Sequence, residues 1–365
     1  MKRDGLLMLS DGTTFWGESV GTTGFFVGEV VFNTSMTGYQ EILSDPSYAQ
    51  QIIAFTYPHI GNVGVNEEDE ESDRMWSGGA VMRELSTMPS NWRSKGDLQS
   101  ALKSQGVVAI SGCDTRRLTH ILREAGSVHA CIMGGKIDAD FALAQAQSFL
   151  GIEGQNLAQE ASTAHHLTCD SLKGPHVVVL DFGVKRSILQ KLSDCGCQLT
   201  VVPATTSCSD ILKLNPKGVV LSNGPGDPAA CGIAIETIRA LLAANTPLFG
   251  ICLGHQLLGI ASGAKTLKMA LGHHGANHPI EELSTGRVFI SSQNHGFAVA
   301  DHGLPSNLCV THRSLFDGSI AGLARRDKPA FSFQGHPEAS PGPQEFHQLF
   351  EQFINLMEEC DAKTI

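Results

Sequence analysis

The sequence predicts an α/β protein. Its C-terminal part is a doubly wound, mostly parallel sheet with a cysteine nucleophile elbow, and a smaller β-rich α+β domain precedes it. From His176 onward, short apolar runs alternate with helical patterns, as is typical of parallel sheets. Three of the apolar runs end in unusual turns, after Leu221, Ile251 and Phe333. The length of 365 residues favours two domains over one.

The N-terminal domain is predicted over residues 1–150 and the second domain over residues 175–362. In the first, strand-like runs flank Asp11-Gly12, a pair that favours a tight hairpin. A helix is predicted over residues 115–125. Residues 151–174 lack periodicity and contain Gly, Ser, Thr and paired histidines, so we interpret them as a linker.

The most informative segment is Gly-Ile-Cys-Leu-Gly-His-Gln at 250–256. A short apolar run precedes Cys252 and a helical apolar pattern follows it, which places the cysteine on a sharp strand-to-helix turn. Glycines at 250 and 254 tolerate the close backbone approach of such an elbow. The N-terminus of the following helix favours a thiolate. The alternative is an inert buried cysteine, one of ten in the chain.

A cysteine nucleophile needs a base, and the base needs a group that orients it. His336 and Glu338 follow a predicted strand over residues 330–333. Extended backbone before Pro337 points both side chains to the same side, so that the carboxylate can bind the imidazole. A plain surface turn is the alternative, since such turns are common.

The turn Ser-Asn-Gly-Pro-Gly-Asp-Pro at 222–228 follows another apolar strand. Its backbone N–H groups are candidates for holding an oxyanion, although an ordinary loop is the simpler interpretation. Ligands of open α/β sheets bind beyond the carboxyl ends of the strands. The three turns therefore predict one shared active site.

Composition excludes several classes of function. The formal net charge is −11, which disfavours nucleic acid and anionic membranes as partners. No run resembles a signal peptide or reaches transmembrane length. The ten cysteines are then expected to be reduced, as in a cytoplasmic protein. No metal site is expected, because His273, His274 and His278 lack further ligands at suitable spacing.

Taken together, the segments 222–228, 250–256 and 335–338 resemble those of the class I (triad) glutamine amidotransferases. Segments 32–52, 272–279 and 293–299 are similar to the small chains of carbamoyl-phosphate synthases, so the resemblance covers nearly the whole chain.

The resemblance implies roles for individual residues. Cys252 corresponds to the nucleophile, His336 to the general acid–base and Glu338 to its orienting carboxylate. The N–H groups of Gly226 and Leu253 would form the oxyanion hole. The implied glutamine-binding residues are Ser47, Gly224, Gly226, Leu253, Gln256, Asn294, Gly296 and Phe297. Ser47 would bring the N-terminal domain, otherwise expected to form the subunit interface, to the glutamine pocket.

The implied activity is hydrolysis of L-glutamine to glutamate and ammonia through a thioester on Cys252. Ammonia would pass to a large synthetase subunit that makes carbamoyl phosphate for arginine and pyrimidine synthesis. ATP and a metal ion are expected only on that subunit, with no cofactor in this chain, which lacks a phosphate-binding Gly-x-x-x-x-Gly-Lys-Ser/Thr loop. The alternatives are a stand-alone γ-glutamyl hydrolase or cysteine peptidase, a glutaminase subunit of another synthetase, and a non-catalytic regulatory module.

Overall fold

The computed structural model describes residues 3–169 and 174–362. The chain forms two compact units. The first runs through Glu153 and includes Ala270–Gly275, and the second comprises Gly154–Met269 and the residues from Ala276 onward.

The first unit is rich in strands, as the sequence predicts. Its elements are β1 (Gly5–Leu9), β2 (Thr14–Ser19), β3 (Gly24–Asn33), α1 (Tyr39–Ser44), β4 (Gln51–Phe55), β5 (His59–Ile60), β6 (Gly79–Val81), β7 (Glu84–Leu85), α2 (Leu98–Ser104), β8 (Val108–Ser111), α3 (Thr115–Ala125), β9 (Val128–Gly134) and α4 (Ala139–Ser148). The strands close into a barrel in the order β1-β2-β8-β6-β4-β3-β9, and β5 pairs with β7.

The local predictions for the first unit are confirmed. Strands β1 and β2 form an antiparallel hairpin around Asp11-Gly12. Helix α3 begins after Asp114, whose carboxylate accepts a hydrogen bond from the N–H of Arg117. Alternate residues of β1 point to opposite faces and pack in different hydrophobic clusters. Leu7 packs in a cluster with α3, whereas Leu6 packs in a cluster with α4.

The second unit carries the elbow. Its elements are α5 (Leu157–Ala161), β10 (Leu167–Cys169), β11 (His176–Asp181), α6 (Arg186–Asp194), β12 (Gln198–Pro203), α7 (Cys208–Lys213), β13 (Gly218–Leu221), α8 (Gly232–Ala243), β14 (Leu248–Ile251), α9 (Leu253–Ala261), β15 (Thr266–Glu282), β16 (Arg287–Val299), β17 (Leu308–Ser314), β18 (Ile320–Arg325), β19 (Ala330–Phe333) and α10 (Gln348–Ala362). In the described residues its sheet has the order β10-β12-β11-β13-β14-β19-β18-β17-β15-β16.

Strands β12, β11, β13, β14 and β19 are parallel neighbours, which confirms the predicted parallel sheet. Strand β11 shows why its sequence is continuously apolar. Val177 and Val179 belong to one buried cluster and Val178 and Leu180 to another, so both faces of the strand are covered. The parallel order brings the ends of β13, β14 and β19 to one edge.

Beyond β19 the sheet is antiparallel. Strands β18 and β17 continue it from β19, and β15 pairs antiparallel with β17. The sequence analysis predicted no strands here. Strand β15 shows the reason: its burial follows no regular alternation along its length, so it carries no clean period-two signal.

The segment predicted as a linker, residues 151–174, differs from that prediction in its described part. It contains α5 and β10, and β10 pairs antiparallel with β12. Asn156 caps α5 through its side-chain oxygen, and Leu157 is fully buried. Elements this short have too few residues to show a period, so their side-chain contacts with the domain hold them. Residues 170–173 lie outside the described part of the chain.

This difference yields a stability prediction. Replacing Leu157 by Ala should lower the free energy of unfolding by about 2–5 kcal/mol, because a packed leucine leaves a cavity. Glu160→Ala on the same helix is the matched exposed control and should change stability by less than about 0.5 kcal/mol. Urea denaturation of both variants measures this. Equal stabilities would contradict a packed segment and favour a linker.

Candidate active site

Cys252 lies between β14 and α9, at the sharp turn that the sequence predicts. Its backbone has φ 53° and ψ −103°, and a positive φ is uncommon for a residue with a side chain. A Cβ at Gly254 would collide with the carbonyl oxygen of Leu221, so the close approach of α9 to β13 requires glycine there. The N–H of Gly254 donates to the Ser222 carbonyl at 3.0 Å and ties the elbow to the 222–228 turn.

The sulfur of Cys252 is almost completely buried, with the residue 2% exposed. Its Sγ lies 3.6 Å from the carbonyl oxygen of Asn294 on β16. The N–H of Cys252 donates to the Phe333 carbonyl at the end of β19. The nucleophile position is therefore held between the ends of β14 and β19 and the middle of β16.

His336 and Glu338 follow β19, and the structure joins their side chains. Nδ1 of His336 lies 2.6 Å from Oε1 of Glu338, with both residues buried. The N–H of His336 donates to the carbonyl of Ser292, which fixes the backbone at this point. In the described chain, Nε2 of His336 has no hydrogen-bond partner of regular geometry. Since Glu338 engages Nδ1, the ring nitrogen left for chemistry is Nε2.

The charges of the site favour a protonated His336. Burial lowers the pKa of His336, but the charges of Glu338 and of the Cys252 thiolate act in the opposite direction, and the pKa is raised overall. An imidazolium beside Cys252 is the arrangement that activates cysteine nucleophiles, because it stabilises the thiolate and then supplies a proton.

Lys185 completes the charge series, and the sequence analysis missed it. Its Nζ donates to Oε1 of Glu338 at 2.9 Å and to the carbonyls of Ala339 and Ser340, at 3.2 and 2.8 Å. Three acceptors satisfy the three protons of the ammonium group, although Lys185 is only 2% exposed. Burial alone would raise the pKa of Glu338, but Lys185 and His336 lower it, so the carboxylate stays ionised.

The backbone before α6 positions Lys185. The carboxylate of Asp181 accepts from the N–H groups of Gly183 and Val184, and Oδ1 of Asn223 accepts from the N–H of Lys185. A sequence signal was present, because Lys185 follows the carboxyl end of β11, at the same edge as the other site residues.

Gln334 is a second residue that the sequence analysis missed. Nε2 of Gln256 donates to the carbonyl of Phe297 at 2.7 Å and to Oε1 of Gln334 at 3.1 Å. The Phe297 carbonyl fixes the orientation of the Gln256 amide, and Gln334 must then accept with its oxygen. Its Nε2 is left to face Sγ of Cys252 at 3.9 Å. Gln334 is thus oriented to donate to the sulfur.

Several of the predicted glutamine-binding residues lie around the elbow. Asn294 and Phe297 on β16 contact Cys252 and Gln256 through their carbonyls, and Gly296 lies between them. Leu253 is the first residue of α9. Ser47 belongs to the first unit, where its N–H donates to Asp45, and its role in glutamine binding stays a prediction.

The predicted oxyanion donors lie in turns at the ends of β13 and β14. Gly226 has φ +94°, which favours glycine, and the neighbouring Asp227 is held by the carbonyl of Gln155. Gly224 precedes it in the same turn. Within residues 3–169 and 174–362, the N–H groups of Gly226 and Leu253 donate no hydrogen bond to the protein. Both remain available to an acceptor.

Two other histidines near the elbow are poorly suited to act as bases. Nδ1 of His255 bonds Oγ of Ser332, and burial lowers its pKa to about 3, so its ring is neutral. His295 bonds the Phe297 carbonyl and the side chain of Gln293. The bonds made by these two rings go to uncharged groups, in contrast to the His336–Glu338 pair.

The described residues lack two other kinds of feature. In this part of the chain, no group of three or more His, Cys, Asp or Glu side chains could hold a metal ion. No helix in it has the length and apolar character needed to cross a membrane.

Comparison with known proteins identifies relatives of both parts of the chain. The family model "Glutamine amidotransferase class-I" matches residues 178–356. The family model "Carbamoyl-phosphate synthase small chain, CPSase domain" matches residues 7–132. The first family model includes the elbow and both residues of the His336–Glu338 pair.

Similar full-length proteins are carbamoyl phosphate synthase small chains. The one from Photorhabdus laumondii is 56% identical, covering 100% of this chain and 98% of its own. The Vibrio cholerae protein is also 56% identical, with 99% and 100% covered. The Escherichia coli K12 protein is 54% identical, with 98% of each chain covered. Identity at this level over the whole length shows that the chain belongs to the family of carbamoyl phosphate synthase small chains.

Proposed function

We propose that this chain is the glutaminase subunit of a glutamine-hydrolysing carbamoyl phosphate synthase, with Cys252 as the nucleophile. The observation that carries the proposal is the buried series Cys252, His336, Glu338 and Lys185 at the carboxyl edge of a parallel sheet. The family membership of the chain supplies the reaction, and the geometry supports a role for each group.

The reaction begins with attack of the Cys252 thiolate on the side-chain amide carbon of L-glutamine. The N–H groups of Gly226 and Leu253 donate to the oxyanion that forms, a contribution of about 3–4 kcal/mol per donor in comparable sites. The protonated His336 gives its Nε2 proton to the amide nitrogen. The C–N bond breaks, ammonia leaves and a γ-glutamyl thioester remains.

His336, now neutral, then accepts a proton from a water molecule that attacks the thioester. Glutamate leaves, and the thiolate–imidazolium pair is restored. Throughout the cycle Glu338 holds Nδ1 of the ring and stabilises its positive charge, while Lys185 keeps the carboxylate ionised. Gln334 donates to the sulfur. Gln256, Asn294, Gly296, Phe297, Gly224 and Ser47 are the proposed contacts to glutamine.

A large synthetase subunit is the proposed partner. Ammonia released at Cys252 would pass to it, and ATP and metal ions would bind there rather than on this chain. The match of residues 7–132 to the small-chain domain supports this partner over the subunits of other synthetases and over a stand-alone hydrolase or peptidase. The proposed location is the cytoplasm, where the thiolate stays reduced.

The first prediction concerns Cys252. In the complex with the large subunit, Cys252→Ser should abolish glutamine-dependent synthesis of carbamoyl phosphate while leaving synthesis from added ammonia. The physical reason is that serine cannot form the thiolate. Activity measured with each nitrogen donor tests this, and Cys309→Ser is the control that should retain both. Loss of the ammonia-dependent reaction in Cys252→Ser would contradict the assigned role.

The second prediction concerns Lys185. Lys185→Met should lower the free energy of unfolding at pH 7 by about 3–5 kcal/mol, because it leaves the Glu338 charge buried with less compensation. The Glu338 pKa is lowered from its ordinary 4.5 in the folded state. Its ionised form therefore stabilises the fold above that pH, and the contribution is lost as the pH falls further.

The loss caused by Lys185→Met should therefore shrink as the pH falls below about 4. Urea denaturation over this pH range measures it. Lys213→Met breaks an exposed ion pair with Asp210 and is the matched control, with an expected cost below about 1 kcal/mol. Equal costs for the two variants, or no dependence on pH, would count against the buried pair.

The third prediction concerns Gln334. Gln334→Leu should lower kcat/KM for glutamine by about 10- to 100-fold, the size of one hydrogen bond to a charged group. It should also slow the alkylation of Cys252 by iodoacetamide at a fixed pH. Gln344→Leu, at an exposed position of the same unit, is the control. An unchanged alkylation rate in Gln334→Leu would show that the amide does not act on the sulfur.

A further inference from the structure

A cationic pocket lies in the first unit and takes no part in the chemistry described above. Its volume is about 730 Å³, and helix α3 contributes Arg116, His120 and Arg123 to its lining. These residues are four and three positions apart, so they share one face of the helix. Arg83, after β6, lines the pocket too. The opposite face of α3 buries Leu118 and Leu122 in the core, which fixes the direction of the basic face.

The arginines of this pocket differ from four other arginines of the described chain in their lack of a carboxylate partner. Arg93, Arg239, Arg313 and Arg325 each form an ion pair with a nearby carboxylate. In residues 3–169 and 174–362, no such pair is formed by the pocket arginines 83, 116 and 123. This concentration of arginines outside ion pairs stands in a chain with a net charge of −11.

One carboxylate, Asp114, lines the pocket, but it is already engaged. Its Oδ1 accepts the N–H of Arg117 at 3.0 Å and caps α3. Thr119 also lines the pocket, and its hydroxyl donates to the Thr115 carbonyl within the helix. The groups left to bind a ligand are therefore the three guanidinium groups and His120, which together select an anion.

The exposure of the lining residues favours a protein segment over a small anion as the ligand of this pocket. The three arginines and His120 are all exposed residues, whereas small-molecule sites bury most of their ligand between apolar walls. Arginine is enriched at protein interfaces, and its planar fork binds carboxylates through two parallel hydrogen bonds. An exposed arginine cluster of this kind fits carboxylate side chains that project from another protein surface.

We propose that the pocket formed by Arg83, Arg116, His120 and Arg123 is a docking site for an acidic segment of the large synthetase subunit. This inference rests on the proposed function, which supplies the partner. It assigns the recognition chemistry of the complex to one face of α3: aspartate or glutamate side chains of the partner pair with the guanidinium groups. The contact then depends on salt concentration, as interactions between exposed charges do.

The experiment compares affinities for the large subunit by titration. Arg116→Glu/Arg123→Glu should raise the Kd by about 10-fold or more, and Arg116→Ala/Arg123→Ala should raise it less, because neutral residues do not repel the partner. Lys103→Glu, on α2 of the same unit, is a charge-reversal control outside the pocket and should bind like the wild type. Glutaminase activity of each free variant should equal that of the wild type.

Increasing salt should weaken the wild-type complex more than the complex of the double glutamate variant. Equal Kd values for wild type and Arg116→Glu/Arg123→Glu would overturn the proposal. It would also be overturned if inorganic phosphate raised the thermal stability of the wild type but not of the variant, with unchanged affinity for the large subunit, because the pocket would then be a site for free anions. If the wild-type chain itself did not bind the large subunit, this result would contradict the proposed function, and the docking proposal would fall with it.

Discussion

The candidate site depends on one electrostatic constraint: buried charges must be placed so that each compensates the next. The Lys185 ammonium, the Glu338 carboxylate and the His336 imidazole are each nearly inaccessible to water, and each would be costly to bury alone. Joined in series, they keep the carboxylate ionised and favour the protonated ring beside Cys252. The same contacts that hold the fold at this edge of the sheet thus prepare the sulfur for reaction.

The backbone brings the residues of the site together and holds them in position. A parallel sheet brings the ends of β11, β13, β14 and β19 to one edge, so that residues distant in sequence meet there. The strained conformation of Cys252 is held from both sides, by the bond of its own N–H to β19 and by that of Gly254 to the end of β13. Compensation between charges and rigid backbone support together place the groups.

Sequence reasoning predicted the parts of the site that carry local signals. Cys252 stood between two glycines on a strand-to-helix boundary, and His336 and Glu338 shared one side of an extended segment. For Lys185 the only signal was its place after a predicted strand, and Gln334 gave none, because their roles arise from contacts with residues more than 70 positions away. A lone lysine at a helix start and a lone glutamine at a strand end are ordinary until the fold brings them to the sulfur and the carboxylate.

The elements of the fold divide in the same way, into those that the sequence predicts and those that it does not. The parallel strands and α3 were predictable because burial on both faces, or on one helical face, leaves a clear pattern. Helix α5 and strand β10 were missed, since they are too short to show a period and depend on packing against the domain. The antiparallel strands β15 to β18 were not predicted either, and their pairing is a long-range property. Short or irregular elements therefore require the structure itself.

The most direct test of the central claim is the protonation state of His336. Histidine ¹⁵N NMR of the free chain at about pH 8, well above the ordinary histidine pKa, reports both ring nitrogens. The charge series predicts that both nitrogens of His336 carry protons at that pH, and that Cys252→Ser lowers the pKa of the ring because the thiolate is gone. A neutral His336 at pH 8 in the wild type, with a titration unaffected by Cys252→Ser, would contradict it.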